Sequence, residues 1–291
     1  MIVVNISGGL ANKMFMYALF MAIREEREDV FVDEASFKAS FSFEKMSIKD
    51  VFPDLVFPEF ESKHKFWAER NNGFCARALR KFLEKYSNSY YCEDGYVYRN
   101  DLIKALPKDC YLRGYWQSEK YFLPIEDKIR KTFVFPNFSE IKNIEASTKM
   151  MSENSVSIHI RKGKDYMRPG GTGHGTCTKS YYDDAIRYIE ERVTKPVFYV
   201  FTDNPQWVKE NLTSIKYTLV NWNPVSGPTN YRDIQLMSCC KHNIIANSSF
   251  SWWGAWLNSN KDKIVIGPKI WFNPENRDQP KDLICDSWVA I

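Results

Sequence analysis

The sequence predicts an α/β protein built on parallel sheets, and three observations carry that expectation. First, β-branched runs alternate with segments of helical spacing through most of the second half of the chain. Second, residues 243–272 run from a short apolar stretch (Ile244, Ile245, Ala246) through a polar turn, Asn247-Ser248-Ser249, into an aromatic segment of helical spacing. They leave it through a β-branched run, Ile264 to Ile266, which is the order of a βαβ crossover. Third, the chain opens with a strand, Ile2 to Ile6, a Gly8-Gly9 turn and a helix.

The elements follow in order. The first helix runs from Leu10 to about Glu26, because Leu10, Met14, Tyr17, Ala18, Met21 and Ala22 recur at steps of three and four and give it one apolar face. Val30 to Asp33 is a second short strand. Residues 35–105 are Phe-rich and charged with mixed periodicity; a basic helical stretch, Ala76 to Tyr86, stands out. Cys110 to Trp116 reads as a strand, followed by a helix from Glu119 into Arg130 whose start Pro124 disturbs. After Phe133-Val-Phe-Pro136 the pattern becomes regular, with strands at 156–160, 197–201, 217–220, 243–246 and 264–266. Helices are expected at 139–152, 178–193, 204–212, 230–241 and 249–259. The division is therefore 1–136 and 137–291, with the last ~20 residues a candidate for packing back on the first domain.

Composition narrows the class. Forty basic and 36 acidic residues nearly balance, leaving +4, so the long basic arm of a nucleic-acid-binding protein is missing. A pI near 8.5 suits an anionic small ligand and leaves peripheral association with an acidic membrane surface open. No apolar run is long enough to span a membrane, and no leader-like segment opens the chain, so a soluble, cytoplasmic protein is expected. Seven cysteines without a CxxC pair read as free, buried thiols in a reducing compartment. The histidines are scattered and no two aspartates are spaced D-x-D, so no metal is expected.

In a parallel sheet, ligands bind outside the carboxyl ends of the strands. Three ends in the second region carry unusual groups. Val156 to Ile160, which contains His159, leads into Arg161-Lys162-Gly163-Lys164-Asp165-Tyr166. Phe198 to Phe201 leads into Thr202-Asp203-Asn204-Pro205, with Asp203 or Asn204 as a helix cap. The third end is Asn247-Ser248-Ser249-Phe250. Cations, hydroxyls and a helix N-terminus on one edge suit a diphosphate, which the Arg161 fork can grip. Asp203 can accept from ribose hydroxyls or a guanine N–H edge. Each group also has a plainer reading: Asp203 as a cap, Asp165 as an ion-pair partner of Arg161, His159 as a core histidine, and the basic run as a solvated turn. The first turn, Gly8-Gly9-Leu10-Ala11-Asn12, lacks GxGxxG spacing, so a nicotinamide dinucleotide is not expected, although its glycines permit close backbone approach.

Three blocks resemble the α-1,2-fucosyltransferases of glycosyltransferase family 11, especially bacterial members. They are Gly8 to Ala18, His159-Ile160-Arg161-Lys162, and Lys241-His242-Asn243 through Trp256. The resemblance implies a GT-B fold, two Rossmann-like domains facing across a cleft, the first on the acceptor side and the second holding GDP-fucose. It implies inverting, metal-independent transfer of L-fucose from GDP-β-L-fucose to the 2-hydroxyl of a terminal galactoside, without a cofactor, in polysaccharide biosynthesis. By resemblance, Arg161 and Asn12 are catalytic, and Gly9, Asn12, His159, Arg161, Lys162, Asp203, Ser248, Ser249 and Phe250 serve the donor. Arg161 holds the β-phosphate, and Asn12 reaches across from the other domain. The chain departs from the family pattern at Ala11, Lys13 and the inserted Lys164, so Asp165 receives no catalytic role. Lys13 either adds a cation near the diphosphate or points into solvent. Alternatives are a transferase of the same fold with another nucleotide-sugar donor, and a non-catalytic carbohydrate-binding relative.

Overall fold

The computed structural model describes residues 1–34, 46–58, 73–87, 89–93, 95–163, 175–273, 275 and 279–291. The chain divides into two compact units, Met1–Phe135 and Pro136–Ile291. Both are α/β, and every strand pair in both is parallel.

The first unit holds a four-stranded sheet made from β1 (Ile2–Asn5), β2 (Val30–Asp33), β3 (Tyr90–Cys92) and β4 (Cys110–Arg113), in the order β2-β1-β4-β3. Helix α1 (Leu10–Glu26) joins the first two strands. It starts after Gly8, whose φ of +85° favours glycine, and its N-cap, Gly9, supplies no side-chain hydrogen bond. The single apolar face expected of α1 is too modest: twelve of its 17 residues are buried. Aromatic side chains cover its second side, with Phe15 beside Phe122 and Tyr17 beside Phe133. Lys13 is among the buried residues, so it does not point into solvent. Its ammonium pairs with Glu34 at 3.1 Å and donates to the Met46 carbonyl.

Two further expectations for this unit are corrected. The strand begun at Cys110 ends at Arg113, because Trp116 adopts φ +54° and the Glu93 carboxylate turns the chain by accepting from the Tyr115 and Trp116 amides at 2.7 and 3.1 Å. The helix expected from Glu119 is broken into two 3-10 turns, Glu119–Tyr121 and Leu123–Ile125, before a short α-helix, Glu126–Thr132. Pro124 lacks the N–H that a continuous helix needs. Helix α2 (Phe74–Tyr86) begins slightly before the basic stretch seen in the sequence.

The second unit carries six strands in the order β10-β9-β8-β5-β6-β7. They are β5 (Ser155–Ile160), β6 (Val197–Thr202), β7 (Tyr217–Val220), β8 (His242–Ile244), β9 (Val265–Gly267) and β10 (Val289–Ala290). Their apolar runs fit a sheet covered on both faces, and β5 is buried throughout. A helix at Ile141–Ser152 precedes β5, and helices at Lys179–Glu190, Pro205–Asn211, Tyr231–Cys239 and Ser249–Leu257 lie between the strands. The chain's end contributes edge strand β10, which the sequence did not disclose. The aromatic segment is core: Trp252, Trp253 and Trp256 are buried, and the Trp252 indole donates to the Leu283 carbonyl at 2.7 Å. Gly254 lets that helix approach the one before it, since a Cβ there would stand 2.9 Å from Met237 Cβ.

Of the cysteines, Cys110, Cys177, Cys240 and Cys285 are buried, but Cys75 is exposed, so the expectation of uniformly buried thiols fails there. No helix among the described residues is long and apolar enough to cross a membrane.

Candidate active site

The order of the second sheet defines the place. From central β5 the chain adds β6 and β7 on one side, then returns to add β8, β9 and β10 on the other. The reversal between β5 and β8 opens a crevice at their carboxyl ends, where doubly wound sheets bind ligands. His159 and Arg161 close β5, and Asn247-Ser248-Ser249 follows β8.

The three strand ends are joined by side chains. The Arg161 guanidinium pairs with the Asp203 carboxylate, with the arginine side chain 28% and the aspartate 11% exposed. The second Asp203 oxygen accepts the Lys162 backbone N–H at 2.7 Å. Asp203 thus turns both oxygens toward the end of β5 and fixes the guanidinium at the sheet edge. The cap of helix Pro205–Asn211 is Asn204, whose Oδ1 accepts the Trp207 N–H at 3.1 Å, which frees Asp203 from capping.

Lys162 is buried and faces inward. Its ammonium donates to Thr176 Oγ1 and the Cys177 carbonyl, both at 2.7 Å, and lies 4.7 Å from the Trp207 ring centroid. Burial lowers its pKa, opposed in part by the nearby Asp203 carboxylate. The solvated basic turn is therefore ruled out for this residue: Lys162 ties the segment entering helix Lys179–Glu190 to the end of β5. Asn247 ties the same segment from the other side, donating to the Gly175 carbonyl at 3.2 Å and to the Trp271 carbonyl at 2.9 Å. Its oxygen accepts the Cys177 thiol at 3.5 Å, and burial pushes that thiol up to about 11, so it stays protonated. Lys164 and Asp165, and with them the proposed Asp165–Arg161 pair, lie outside the described residues.

Ser248 caps the aromatic helix Ser249–Leu257 through the Phe250 N–H at 3.3 Å. One turn in, Ser251 Oγ sits 2.8 Å from His159 Nδ1, accepts the Ala246 N–H at 3.2 Å, and is 3.3 Å from the Ser248 carbonyl. The serine thereby links β5 to β8. Burial, and next the Arg161 charge, depress the His159 pKa to about 3, so the imidazole is neutral. The Phe250 ring stands 5.7 Å from it. His159, Arg161, Lys162, Asp203, Ser248, Ser249 and Phe250 are all brought to one edge of one sheet. Gly9 and Asn12 belong to the first unit, where the Asn12 side-chain oxygen accepts from Gln117 Nε2 at 2.8 Å.

Sequence reasoning missed Ser251, Thr176 and Trp207 as members of this network, and gave Asn247 only as part of the third strand end. Ser251 was legible as a polar residue three places past a cap inside an otherwise aromatic helix. The others depend on contacts between distant segments. Among the described residues no group of three or more His, Cys, Asp or Glu side chains is placed to hold a metal ion.

Comparison with known proteins fits this architecture. Residues 73–291 match Glycosyl transferase family 11. The chain is 35% identical over 300 aligned positions to the "Alpha-1,2-colitosyltransferase" of Escherichia coli, covering 100% of this chain and 98% of that one. It is 23% identical over 155 positions to the human "Galactoside alpha-(1,2)-fucosyltransferase 1", covering 50% of this chain and 42% of that protein. Among solved structures, NodZ alpha-1,6-fucosyltransferase superposes with a TM-score of 0.50 at 12% identity, covering 88% and 91% of the two chains. The fold is of the GT-B type. The chain belongs to glycosyl transferase family 11 and is a glycosyltransferase.

Proposed function

We propose that the protein transfers L-fucose from GDP-β-L-fucose to the 2-hydroxyl of a terminal galactoside, forming an α-1,2 linkage with inversion and without a metal. The observation that carries this reading is the Arg161–Asp203 pair joining the ends of β5 and β6, on the same sheet edge as the capped helix start that follows β8. In this reading the sugar C1–O bond to the β-phosphate breaks and GDP leaves with the electron pair. The acceptor 2-oxygen bonds to C1 from the opposite face and releases its proton to water on that face, because the departing phosphate lies on the other side of C1. Negative charge grows on the diphosphate as this happens. A guanidinium already fixed by Asp203 and a helix N-terminus stabilise it without reorganisation, for about 3 kcal/mol by analogy with one oxyanion-hole donor. Gly9 and Asn12 enter this reading only through the motif they share with the family.

A second reading has its own support. The full-length similarity to a colitosyltransferase favours GDP-colitose as donor. Colitose is L-fucose without its 3-hydroxyl, so the same diphosphate site serves either sugar and the choice rests on contacts to C3.

The test is a thermal-shift panel with GDP, UDP and CDP, followed by transfer from GDP-fucose and GDP-colitose to a galactose-terminated oligosaccharide, with and without a chelator. The expected result is stabilisation by GDP above UDP and CDP, and chelator-resistant transfer from GDP-fucose. Stabilisation by UDP alone would overturn the donor class. Transfer only from GDP-colitose would establish the second reading, and activity lost to the chelator and restored by manganese would overturn metal independence.

A further inference from the structure

Helix α2 has one face committed to the fold and another that is not. Ala76 and Arg80 are buried, Leu79 and Leu83 are half-buried, and these four lie at the spacing of one helical stripe. Leu83 packs against Val3, Tyr90 and Tyr111 of the first sheet, so this stripe attaches the helix. A second row, Phe74, Ala78, Phe82 and Tyr86, runs in steps of four along the outside. Phe74 is 78%, Phe82 57% and Tyr86 65% exposed. Among the described residues these are the exposed aromatic side chains, and all three stand on one helix. The Phe82 and Tyr86 rings are 5.1 Å apart.

Beside that row runs a third at the same step: Arg77, Lys81 and Lys85, all exposed. Lys85 Nζ lies 5.1 Å from the Tyr86 ring centroid, at the border between the two rows. One acid, Glu84, accompanies them on the helix. Scattered exposed apolar residues are ordinary on protein surfaces, but an aromatic row flanked by a cationic row is not.

We propose that this face of α2 docks the protein onto an anionic lipid surface. The partner has to take apolar rings and neutralise a line of cations beside them. A lipid surface does both: the rings enter at the headgroup and acyl boundary, while Lys and Arg stems lie along it with their charges at the phosphates. A protein partner fits less well, because lysine is depleted from the centres of protein interfaces, and here Lys85 stands directly against the Tyr86 ring. The proposal is independent of which sugar the enzyme transfers.

The test is co-sedimentation of the full chain with vesicles of phosphatidylcholine alone or mixed with phosphatidylglycerol. Binding is expected to the mixed vesicles, to weaken with added salt, and to be slight on the neutral ones. Phe74→Ser/Phe82→Ser and Arg77→Glu/Lys81→Glu should each reduce binding about tenfold. Their melting temperatures should stay near that of the parent, since the attaching stripe is untouched. Failure of the parent protein to bind mixed vesicles would overturn the proposal, as would undiminished binding by a folded Phe74→Ser/Phe82→Ser variant. Self-association that this variant abolishes, without vesicle binding, would make the face a subunit contact instead.

Discussion

In the second unit the end of β5 is tied to its neighbours on both sides: Arg161 pairs with Asp203, which follows β6, and His159 meets Ser251 in the helix that follows β8. At the β1/α1 junction of the first unit, a cation of the first helical turn, Lys13, is drawn into the interior to Glu34 and Met46. What remains at that first turn is glycine backbone and the Asn12 amide held by Gln117. Both junctions are glycine- or serine-marked starts of helices following a parallel strand, yet one keeps its charge at the sheet edge and the other spends it on structure. Both counter-ions come from the end of a neighbouring strand, Asp203 after β6 and Glu34 after β2. The difference lies in where the cation stands: Arg161 follows its strand directly and stays partly exposed, whereas Lys13 lies inside helix α1 and is buried with its partner.

The largest effect expected from this contrast is at Arg161. Arg161→Ala, and Arg161→Lys, which keeps the charge but loses the planar fork, should lower kcat by at least ~100-fold, about 2.7 kcal/mol of transition-state stabilisation. Both proteins should remain folded, because the side chain is partly exposed at an edge. Single-turnover transfer and circular dichroism on the same preparations check this. Near-native turnover in folded Arg161→Ala would show that the diphosphate is held elsewhere.

Lys13 should behave in the opposite way. Lys13→Met removes one member of a buried pair and should destabilise the protein by about 2 kcal/mol, read from urea unfolding, while kcat changes little. Lys13→Met/Glu34→Gln should recover part of the loss, because it no longer strands a carboxylate. If Lys13→Met instead left stability intact and lowered kcat, Lys13 would be a ligand cation and the contrast between the two junctions would collapse.

How legible these regions were follows from how local their causes are. The second sheet was readable because apolar runs and helical spacing alternate cleanly there, and Ser248 and Pro205 mark their helix starts within a few residues. β3 escaped because Tyr90–Cys92 is three residues long and is specified by its pairing with β4. The helix from Glu119 was misread because spacing suggested continuity while Pro124 forbids it. At the site, residue types were legible but orientations were not. Nothing within the Arg161-Lys162 pair says that the arginine meets Asp203, 42 residues on, while the lysine turns to Thr176. Asp203 taken alone read first as a helix cap, and the capping by Asn204 frees it from that role.

The smallest effect, and the finest test of the edge network, concerns Ser251. Its hydroxyl has one proton and two acceptors in reach, His159 Nδ1 at 2.8 Å and the Ser248 carbonyl at 3.3 Å, while its oxygen already accepts the Ala246 N–H. Donation to the nearer acceptor leaves the His159 proton on Nε2, making the ring a neutral donor suited to a phosphate oxygen rather than a base. Nitrogen-15 NMR of the ligand-free protein should show the Nε2–H tautomer. Ser251→Ala should mix the tautomers and raise the donor KM about threefold, with kcat little changed. The histidine also gives a signed pH effect. Its folded pKa of about 3 lies below the ordinary 6.5, so the unfolded chain binds more protons between these values. The resulting stability is present in full above about pH 6.5 and is lost as pH falls toward 3. His159→Gln, which cannot titrate, should flatten that slope in acid unfolding measurements. An Nδ1–H tautomer in the parent protein would assign the ring's free nitrogen to accepting a proton, and His159 would then become the candidate base for the acceptor hydroxyl.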